Sequence, residues 1–265
     1  MARMIFTILG CGSSGGVPRL GGDWGECNPV NPRNARRRCS LLVERITAQG
    51  TTRVLIDTSP DMRAQLLGVG VGALDAVVYT HAHADHVHGI DDLRQIVFNM
   101  DRRLPVWADG ATQNELFAKF GYAFVQPAGS PYPPILDMNT ITGDVVIEGA
   151  GGTVRLVPVR VNHGSIDALG FRIGDVAYVP DALDIYPESW PLLMGLDCWI
   201  VDALRRRPHP THAHLARTLE WIARAAPRRA VLTNLHVDLD YAVLDAETPG
   251  HITPAHDGMT IAAEV

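Results

Sequence analysis

The segment from Thr80 to Gly89 carries a dense group of side chains able to do chemistry. It holds four histidines and one aspartate within eight residues: His81, His83, Asp85, His86 and His88. Imidazole and carboxylate groups are the usual ligands of divalent metals such as zinc, manganese and iron. Packing of a hydrophobic core does not require such a density of polar side chains. The segment therefore predicts a metal site.

The elements around this motif divide its ligands into two groups. Residues 76–80 form a short apolar run that is typical of a buried strand, after which His81 and His83 project to the same side. Asp85 and His86 precede a stretch with helical apolar spacing, so they lie at a helix start and face another direction. Two directions predict two ions.

Three further candidates each follow an apolar run rich in β-branched residues. Each repeats one arrangement, a predicted strand followed by a side chain that can bind metal. The candidates are His163 after residues 154–161, Asp181 after residues 176–180 and His236 after residues 230–233. Together with the histidine cluster they predict a metal centre assembled from several strand ends.

The order of these residues resembles the metallo-β-lactamase superfamily, in which His-x-His-x-Asp-His is followed by His, Asp and His at later strand ends. The resemblance spans nearly the whole chain and implies an α/β fold, the four-layer αββα sandwich of that superfamily. Residues 10–18, 55–60 and 209–212 resemble its PhnP-like branch of cyclic-phosphate phosphodiesterases. This branch implies one ion held by His81, His83 and His163, a second held by Asp85, His86 and His236, and Asp181 as the bridge between them.

Two segments depart from the pattern of that branch. Its members commonly carry a Cys-x-Cys-x-x-Cys cluster that binds a separate structural zinc, whereas this chain keeps only Cys27 there, so we expect no structural zinc site. The late pattern Thr-His-x-x-His is replaced by Thr233-Asn234-Leu235-His236. We assign His236 to the metal as the imidazole available in this segment, and the sequence leaves open whether it or Asn234 takes the last ligand position.

A dinuclear centre of this kind predicts a hydrolase. Two ions would share a water and hold it as a bridging hydroxide nucleophile, with Asp85 part of the catalytic centre. His212 matches the late histidine of the branch and would either protonate the leaving alkoxide or contact the phosphate. Asp57 is expected to orient a ligand histidine. The resemblance implies a phosphodiesterase for a small cyclic or nucleotide-like phosphate, with two divalent ions, zinc, manganese or iron, as cofactors.

Other functions would use the same ligands. The same hydroxide would hydrolyse a carboxylic bond in a lactone, a thioester or a β-lactam. A redox-active di-iron protein or a noncatalytic metal-binding module is disfavoured by Asp85, because the redox members of the superfamily typically carry a glutamate earlier in the motif. A tRNA-processing nuclease would need a basic exosite arm, and none is visible in this acidic chain, whose net charge is −6.

The glycine-rich segment after the first predicted strand matches two motifs without their structural context. Gly10-x-Gly12-x-x-Gly15 mimics a dinucleotide-binding fingerprint. Gly12-x-Ser14-x-Gly16 mimics a nucleophile elbow. Both motifs need a helix directly afterwards, but the following residues are dense in proline, glycine and asparagine and have no helical period. We therefore expect a glycine turn that lets the backbone pass close to the metal centre.

Length and composition agree with one hydrolase domain over residues 1–265. The hydrophobic share of 46% can fill a large core, and four scattered cysteines do not form a disulfide framework, which favours a cytoplasmic location. No apolar run is long enough to span a membrane, and residues 1–9 resemble a strand more than a signal peptide. The negative charge argues against nucleic acid as the main partner. We expect a small phosphorylated substrate, and the resemblance implies a homodimer.

Hydrophobic periodicity predicts strands and helices in both halves of the chain. The predicted strands cover residues 4–9, 39–45, 52–57, 76–80, 104–107, 153–161, 168–173, 176–179, 197–201 and 230–233. The predicted helices cover residues 61–68, 89–99, 112–120, 212–225 and 239–247. Residues 126–134 are predicted to form a surface loop of the same domain. Runs of strands punctuated by helices fit two sheets packed face to face with helices outside.

Overall fold

The computed structural model describes residues 2–264, which form strands, α-helices and three short 3₁₀ segments. In chain order the strands are β1 (Arg3–Gly10), β2 (Ser40–Thr47), β3 (Gly50–Ile56), β4 (Ala76–Val78), β5 (Leu104–Ala108), β6 (Leu136–Thr140), β7 (Val145–Ile147), β8 (Val154–His163), β9 (Ile166–Ile173), β10 (Val176–Val179), β11 (Asp184–Ile185), β12 (Cys198–Asp202), β13 (Arg229–Thr233), β14 (Ile252–Pro254) and β15 (Thr260–Glu264). The helices are α1 (Met62–Gly68), α2 (Ala84–Val87), α3 (Leu93–Met100), α4 (Gly110–Phe124), α5 (Leu215–Ala225) and α6 (Tyr241–Glu247). The 3₁₀ segments are Pro32–Asn34, Ile90–Asp92 and Pro187–Leu193.

The strands form two mixed sheets. The first has the order β15-β1-β2-β3-β4-β5-β6, antiparallel from β15 to β3 and parallel from β3 to β6. The second has the order β11-β8-β9-β10-β12-β13-β14, antiparallel from β11 to β10 and parallel from β10 to β14, and β7 pairs with β8. Loops that follow parallel strands meet at their carboxyl ends, which is where ligands bind in such sheets.

Three buried clusters separate four layers of structure. One cluster lies between the sheets and joins side chains of both, such as Phe6 of β1 and Phe171 of β9. A second cluster joins the other face of the second sheet to α5 and α6 and includes the buried Trp199. The third joins the first sheet to α1, α2, α3 and α4 through residues such as Leu55 and Met62. The arrangement confirms the predicted four-layer αββα sandwich.

Helix α5 shows how apolar spacing places a functional loop. Its buried side chains recur at intervals of three or four residues: Leu215, Thr218, Trp221, Ile222 and Ala225. The helix ends at Ala226, whose φ of 48° is left-handed. Because this face packs on the second sheet, the segment just before α5, which carries His212, is held at the edge where β12 ends.

The predicted elements are all present, with shifted ends. The predicted helix over 89–99 begins with the 3₁₀ turn at Ile90–Asp92, and that over 212–225 begins only at Leu215. The sequence analysis did not predict five short strands: β6, β7, β11, β14 and β15. Residues 126–134 contain neither helix nor strand, as predicted. Among residues 2–264, no helix is both long enough and apolar enough to cross a membrane.

Candidate metal centre

The ends of five strands deliver polar side chains to one place. His81 follows β4, His163 ends β8, and Asp181 follows β10. Asp202 ends β12, and Asn234 follows β13. All of these side chains except that of His81 come from the second sheet, so the centre lies where the two sheets meet. Each is buried, which requires that each has a polar partner or a bound ion.

Three of these groups converge with His83 as the ligands of a single ion would. His81, His83, His163 and Asp181 each offer one ligand atom, and these atoms all lie within 4.8 Å of one another. The Nδ1 atom of His83 is 3.0 Å from Nε2 of His81 and 3.1 Å from Nε2 of His163. Oδ2 of Asp181 is 3.6 Å from each of the same two Nε2 atoms. A tetrahedral site with bonds of about 2.05 Å has ligand–ligand edges of about 3.3 Å, so this group fits a divalent metal.

Hydrogen bonds on the far side of two rings fix which nitrogen faces the group. The Thr80 hydroxyl donates to Asp57, so its oxygen accepts from Nδ1 of His81 at 2.9 Å. Nδ1 of His163 donates to the Thr211 carbonyl at 2.7 Å. A neutral imidazole carries one N–H, so the lone pair of Nε2 is left facing the centre in both. This is the tautomer that binds a metal.

Burial keeps the three histidines in the neutral form that binds metal. It lowers the pKa of His81 well below the usual value, although Asp181 opposes the effect. It also lowers the pKa of His83, the most exposed of the three. The pKa of His163 falls to about 4 for the same reason. A site of neutral imidazoles and one carboxylate is therefore ready for a cation at neutral pH.

A second group shares the Asp181 carboxylate. Nε2 of His86 lies 3.4 Å from Oδ2 of Asp181 and 3.5 Å from Oδ2 of Asp85. Nδ1 of His86 donates to Oδ2 of Asp57 at 2.7 Å. Burial would lower the pKa of His86, but the three surrounding carboxylates raise it well above the usual value. This concentration of negative charge around one imidazole suits a second cation.

Asp57 supports both groups by hydrogen bonds, directly to His86 and through Thr80 to His81. It is fully buried, with a left-handed φ of 64°, and accepts from the Thr80 amide, the Thr80 hydroxyl and His86. Burial raises the pKa of Asp57, although His86 and Thr80 oppose the effect. The structure thus puts Asp57 against a predicted ligand, in the orienting position expected from the sequence.

A fourth carboxylate, Asp202, was not predicted from the sequence. Nδ1 of His212 donates to Oδ2 of Asp202 at 2.9 Å, and the His212 and His163 ring centroids are 4.6 Å apart. Burial raises the pKa of Asp202 to about 6, although His212 lowers it. A signal existed, because residues 198–202 form an apolar run that ends in an aspartate, the same layout that identified Asp181.

The structure separates His236 from the other predicted ligands. Its Nδ1 lies 3.0 Å from Oδ1 of Asp238, and its Nε2 contacts the Arg19 guanidinium. Asn234 occupies the place beside Asp181 instead, with its amide nitrogen 3.3 Å from Oδ1 of that carboxylate. The predicted ligand role of His236 therefore has no support from the geometry of residues 2–264. Side-chain direction, which residue type alone does not reveal, accounts for the difference.

The remaining residues of interest lie around this centre. His88 ends α2 and packs its ring against Phe120. Cys27 is buried, and its thiol donates to the Val237 carbonyl at 3.4 Å and also contacts Arg36. The expectation of no structural zinc site at this position stays a prediction.

The glycine segment runs as a turn between two other chain segments. The Gly12 amide donates to the Arg37 carbonyl at 2.8 Å, and the Cys11 carbonyl accepts from the Leu235 amide at 2.8 Å. A Cβ on Gly12 would lie 2.9 Å from the Arg36 carbonyl, so a side chain there would clash. No helix follows within residues 11–31. The expected close passage of the backbone beside the site is therefore present, directly next to Asn234.

A cleft of about 540 Å³ opens beside His212. Its wall combines apolar, aromatic and charged side chains: Asn162, Leu183, Asp184, Ile185, Tyr186, Pro187, Pro208, His209, His212, Ala213, His214 and Arg217. The His209 ring lies beside that of His212, with ring centroids 5.1 Å apart and the planes tilted by 53°. The cleft is of the size that small-molecule sites commonly have.

Comparison with known proteins identifies the family. The beta-lactamase superfamily domain matches residues 52–234. A crystal structure described as a new diphosphatase from the PhnP family is 35% identical, covers 99% of this chain and 98% of its own, and has a TM-score of 0.88. The octanoyltransferase of Porphyromonas gingivalis (strain ATCC BAA-308 / W83) is 35% identical over 97% of this chain, which spans only 51% of that relative. The coenzyme PQQ synthesis protein B of Methylococcus capsulatus (strain ATCC 33009 / NCIMB 11132 / Bath) is 25% identical over 98% of this chain and 97% of its own length. The chain thus belongs to the metallo-β-lactamase superfamily and, within it, to the PhnP family.

Proposed function

We propose that this protein is a metal-dependent phosphodiesterase that cleaves a small cyclic or nucleotide-like phosphodiester. The observation that carries the proposal is the position of Asp181 between two donor groups. Its Oδ2 atom lies 3.6 Å from Nε2 of both His81 and His163 and 3.4 Å from Nε2 of His86. One carboxylate shared by two sets of imidazole and carboxylate donors is the arrangement expected of a bridging ligand in a two-metal hydrolase.

The donor sets suit two divalent ions, zinc, manganese or iron. One ion would be held by His81, His83, His163 and Asp181, and the other by Asp85, His86 and Asp181. When bound, such ions supply the Lewis acidity that makes hydrolysis possible at neutral pH. Imidazole and carboxylate accept all three metals, so the donor chemistry supports the class of cofactor and not one element.

His212 would protonate the leaving alkoxide. Its Nδ1–H is held by Asp202, so the ring has a fixed orientation and presents Nε2 as the donor. Burial would lower the pKa of His212, but the carboxylates of Asp202 and Asp181 outweigh burial and raise it to about 9. The ring therefore carries its second proton at neutral pH, where an imidazolium would also attract a phosphate oxygen.

The substrate is proposed to be small and phosphorylated. The cleft beside His212, with a volume of about 540 Å³, accommodates a small molecule. Arg217 lines it and offers a positive charge, although Asp184 pairs with that guanidinium at 3.0 Å. The PhnP-family relative described as a diphosphatase supports a phosphate ester or anhydride over a carboxylic bond.

A side-by-side activity screen tests the proposal. Protein loaded with manganese or zinc is assayed on cyclic phosphodiesters, bis(p-nitrophenyl) phosphate, a diphosphate diester, a lactone and a thioester. We expect hydrolysis of the phosphate substrates, loss of that activity in Asp181→Ala, and retention in His251→Ala, which removes an exposed histidine outside the centre. Faster turnover of the lactone or thioester would replace the proposal with hydrolysis of a carboxylic bond.

A further inference from the structure

The side chain that follows β13, Asn234, contacts the carboxylate that the two donor groups share. Asn234 is buried, with 3% of its surface exposed, and its φ of 60° is left-handed. This backbone conformation turns its side chain away from the direction of the strand and toward Asp181 and Asp202. Asparagine tolerates the left-handed region better than most residues do.

The amide of Asn234 acts as a hydrogen-bond donor here. Its nitrogen lies 3.3 Å from Oδ1 of Asp181 and 3.2 Å from Oδ1 of Asp202. Nδ1 of His212 also lies 3.1 Å from this nitrogen, but the two carboxylate oxygens only accept, so the NH₂ end of the amide must face them. The two oxygens of Asp181 therefore have different neighbours: Oδ2 faces the histidines, and Oδ1 accepts a hydrogen bond from Asn234.

The two groups differ in the number of protein ligands that they offer to an ion. The first group has four protein ligands, whose ligand atoms all lie within 4.8 Å of one another: His81, His83, His163 and Asp181. The second has Asp85, His86 and the shared Asp181. Asn234 offers no lone pair in the direction of Asp181, because its nitrogen faces that carboxylate.

His236 does not compensate for this difference. One ring nitrogen is 3.0 Å from Asp238, and the other contacts Arg19. Both ring nitrogens are thus engaged, and the ring also lines a different cleft, shared with Arg205 and Arg207.

We propose that the two half-sites bind metal with unequal affinity, and that Asn234 sets the inequality by occupying the last ligand position as a hydrogen-bond clamp. The His81, His83, His163 and Asp181 site fills first, and the Asp85, His86 and Asp181 site fills second, with an exchangeable ion. The inference rests on the proposed metal centre but not on the proposed substrate. Since loss of even a supporting group costs roughly 10- to 100-fold in metal affinity, we expect a gap of at least about tenfold between the sites.

Metal titration without substrate tests the inference. Metal-free protein is titrated with Zn²⁺ or Mn²⁺ against a chromophoric chelator, and the stoichiometry and both dissociation constants are fitted. Wild type should bind two ions in resolved steps, and Asp85→Ala should lose only the weaker step. Asn234→His supplies an imidazole and should tighten the second step by about tenfold or more while leaving the first within about twofold.

The outcomes distinguish this inference from the proposed function. Two ions of equal affinity in wild type, or an Asp85→Ala variant that loses the tighter step, would overturn the inequality while the dinuclear hydrolase stands. No metal bound at all would overturn the metal centre itself. A thermal melt of each metal-free variant checks folding, and the wild-type and Asp85→Ala titrations decide the question even where Asn234→His does not fold.

Discussion

Replacing Asp202 with asparagine tests the proposed proton-donor role of His212 without changing a proposed metal ligand. Oδ2 of Asp202 accepts from the Ala182 amide at 3.0 Å and from Nδ1 of His212 at 2.9 Å, and its other oxygen accepts from Asn234. Asparagine keeps the shape of the side chain and removes its charge. An asparagine oxygen can still serve Ala182 and His212, but its NH₂ then faces the NH₂ of Asn234.

The expected loss of activity in Asp202→Asn follows from the fraction of His212 that is protonated. Asp202 is the nearest charge that raises the pKa of His212 to about 9, and Asp181 is the second. If the substitution returned the pKa to about 6.5, the protonated fraction at pH 8 would fall from about 0.9 to about 0.03, a loss of roughly thirtyfold or 2 kcal/mol. Complete loss of general-acid catalysis would cost about 10²- to 10⁴-fold. We therefore expect kcat to fall by about 30- to 1,000-fold on esters with poor leaving groups.

Two phosphodiesters that differ only in the leaving group provide the assay. A p-nitrophenolate leaves without a proton, whereas an alkoxide needs one, so Asp202→Asn should slow the alkyl ester far more than the aryl ester. The pKa of His212, followed by NMR in the metal-free protein, should fall in the same variant. Asp245→Asn, which changes an exposed carboxylate of α6 outside the cleft beside His212, is the matched control. An equal loss on both esters, or an unchanged pKa of His212, would refute a proton-donor role.

Three further substitutions test the support of a proposed metal ligand, the cap of helix α6 and the close packing at the end of β1. Asp57→Ala removes the acceptor behind the second ligand group and should weaken metal binding about 10- to 100-fold, measured by chelator competition; unchanged affinity would exclude an orienting role. Asp240→Ala removes the cap of α6 and the partner of the buried Asn34 amide, 2.6 Å away, and should lower the free energy of unfolding by about 2–4 kcal/mol in urea at pH 7. Burial would raise the pKa of Asp240, but the amide groups that donate to it lower the pKa. The stabilisation by Asp240 is therefore present above about pH 4 and is lost as the pH falls through the lowered pKa of the folded state. A stability difference between wild type and Asp240→Ala that grew in acid would contradict this. Gly10→Ala would put a Cβ 2.1 Å from the Arg38 carbonyl and should destabilise the fold by about 1–3 kcal/mol or more, seen as a lower Tm; an unchanged Tm would mean that the end of β1 can shift.

The predicted ligands that the structure brings together share a local signal. His81, His163 and Asp181 each follow an apolar run, and such runs form strands whose ends meet at one edge. Asp202 has the same signal, but a carboxylate that closes a strand is also typical of an ordinary strand end. Its role depends on His212, which lies ten residues further along the chain and reaches it only because α5 packs on the second sheet.

The short strands were missed because their pairing, rather than their sequence, makes them strands. β11 has two residues, and β7 and β14 have three each, which is too short for a period of two to be recognised. β15 lies at the edge of the first sheet, and within residues 2–264 it pairs with β1 alone. Such segments gain their hydrogen bonds from a partner far along the chain, and no local pattern records that partner.

The geometry of the centre depends on backbone hydrogen bonds that join the two sheets. The Thr80 carbonyl, beside His81, accepts from the Leu169 amide of β9 at 2.9 Å. The Cys11 carbonyl, after β1, accepts from the Leu235 amide beside Asn234 at 2.8 Å. Each bond therefore ties a strand end of the first sheet to the second sheet within one residue of a group at the centre. Ligand types can be predicted from local sequence, whereas ligand distances are set by how the core between the sheets packs, so a substitution in that core should alter metal binding without touching a ligand.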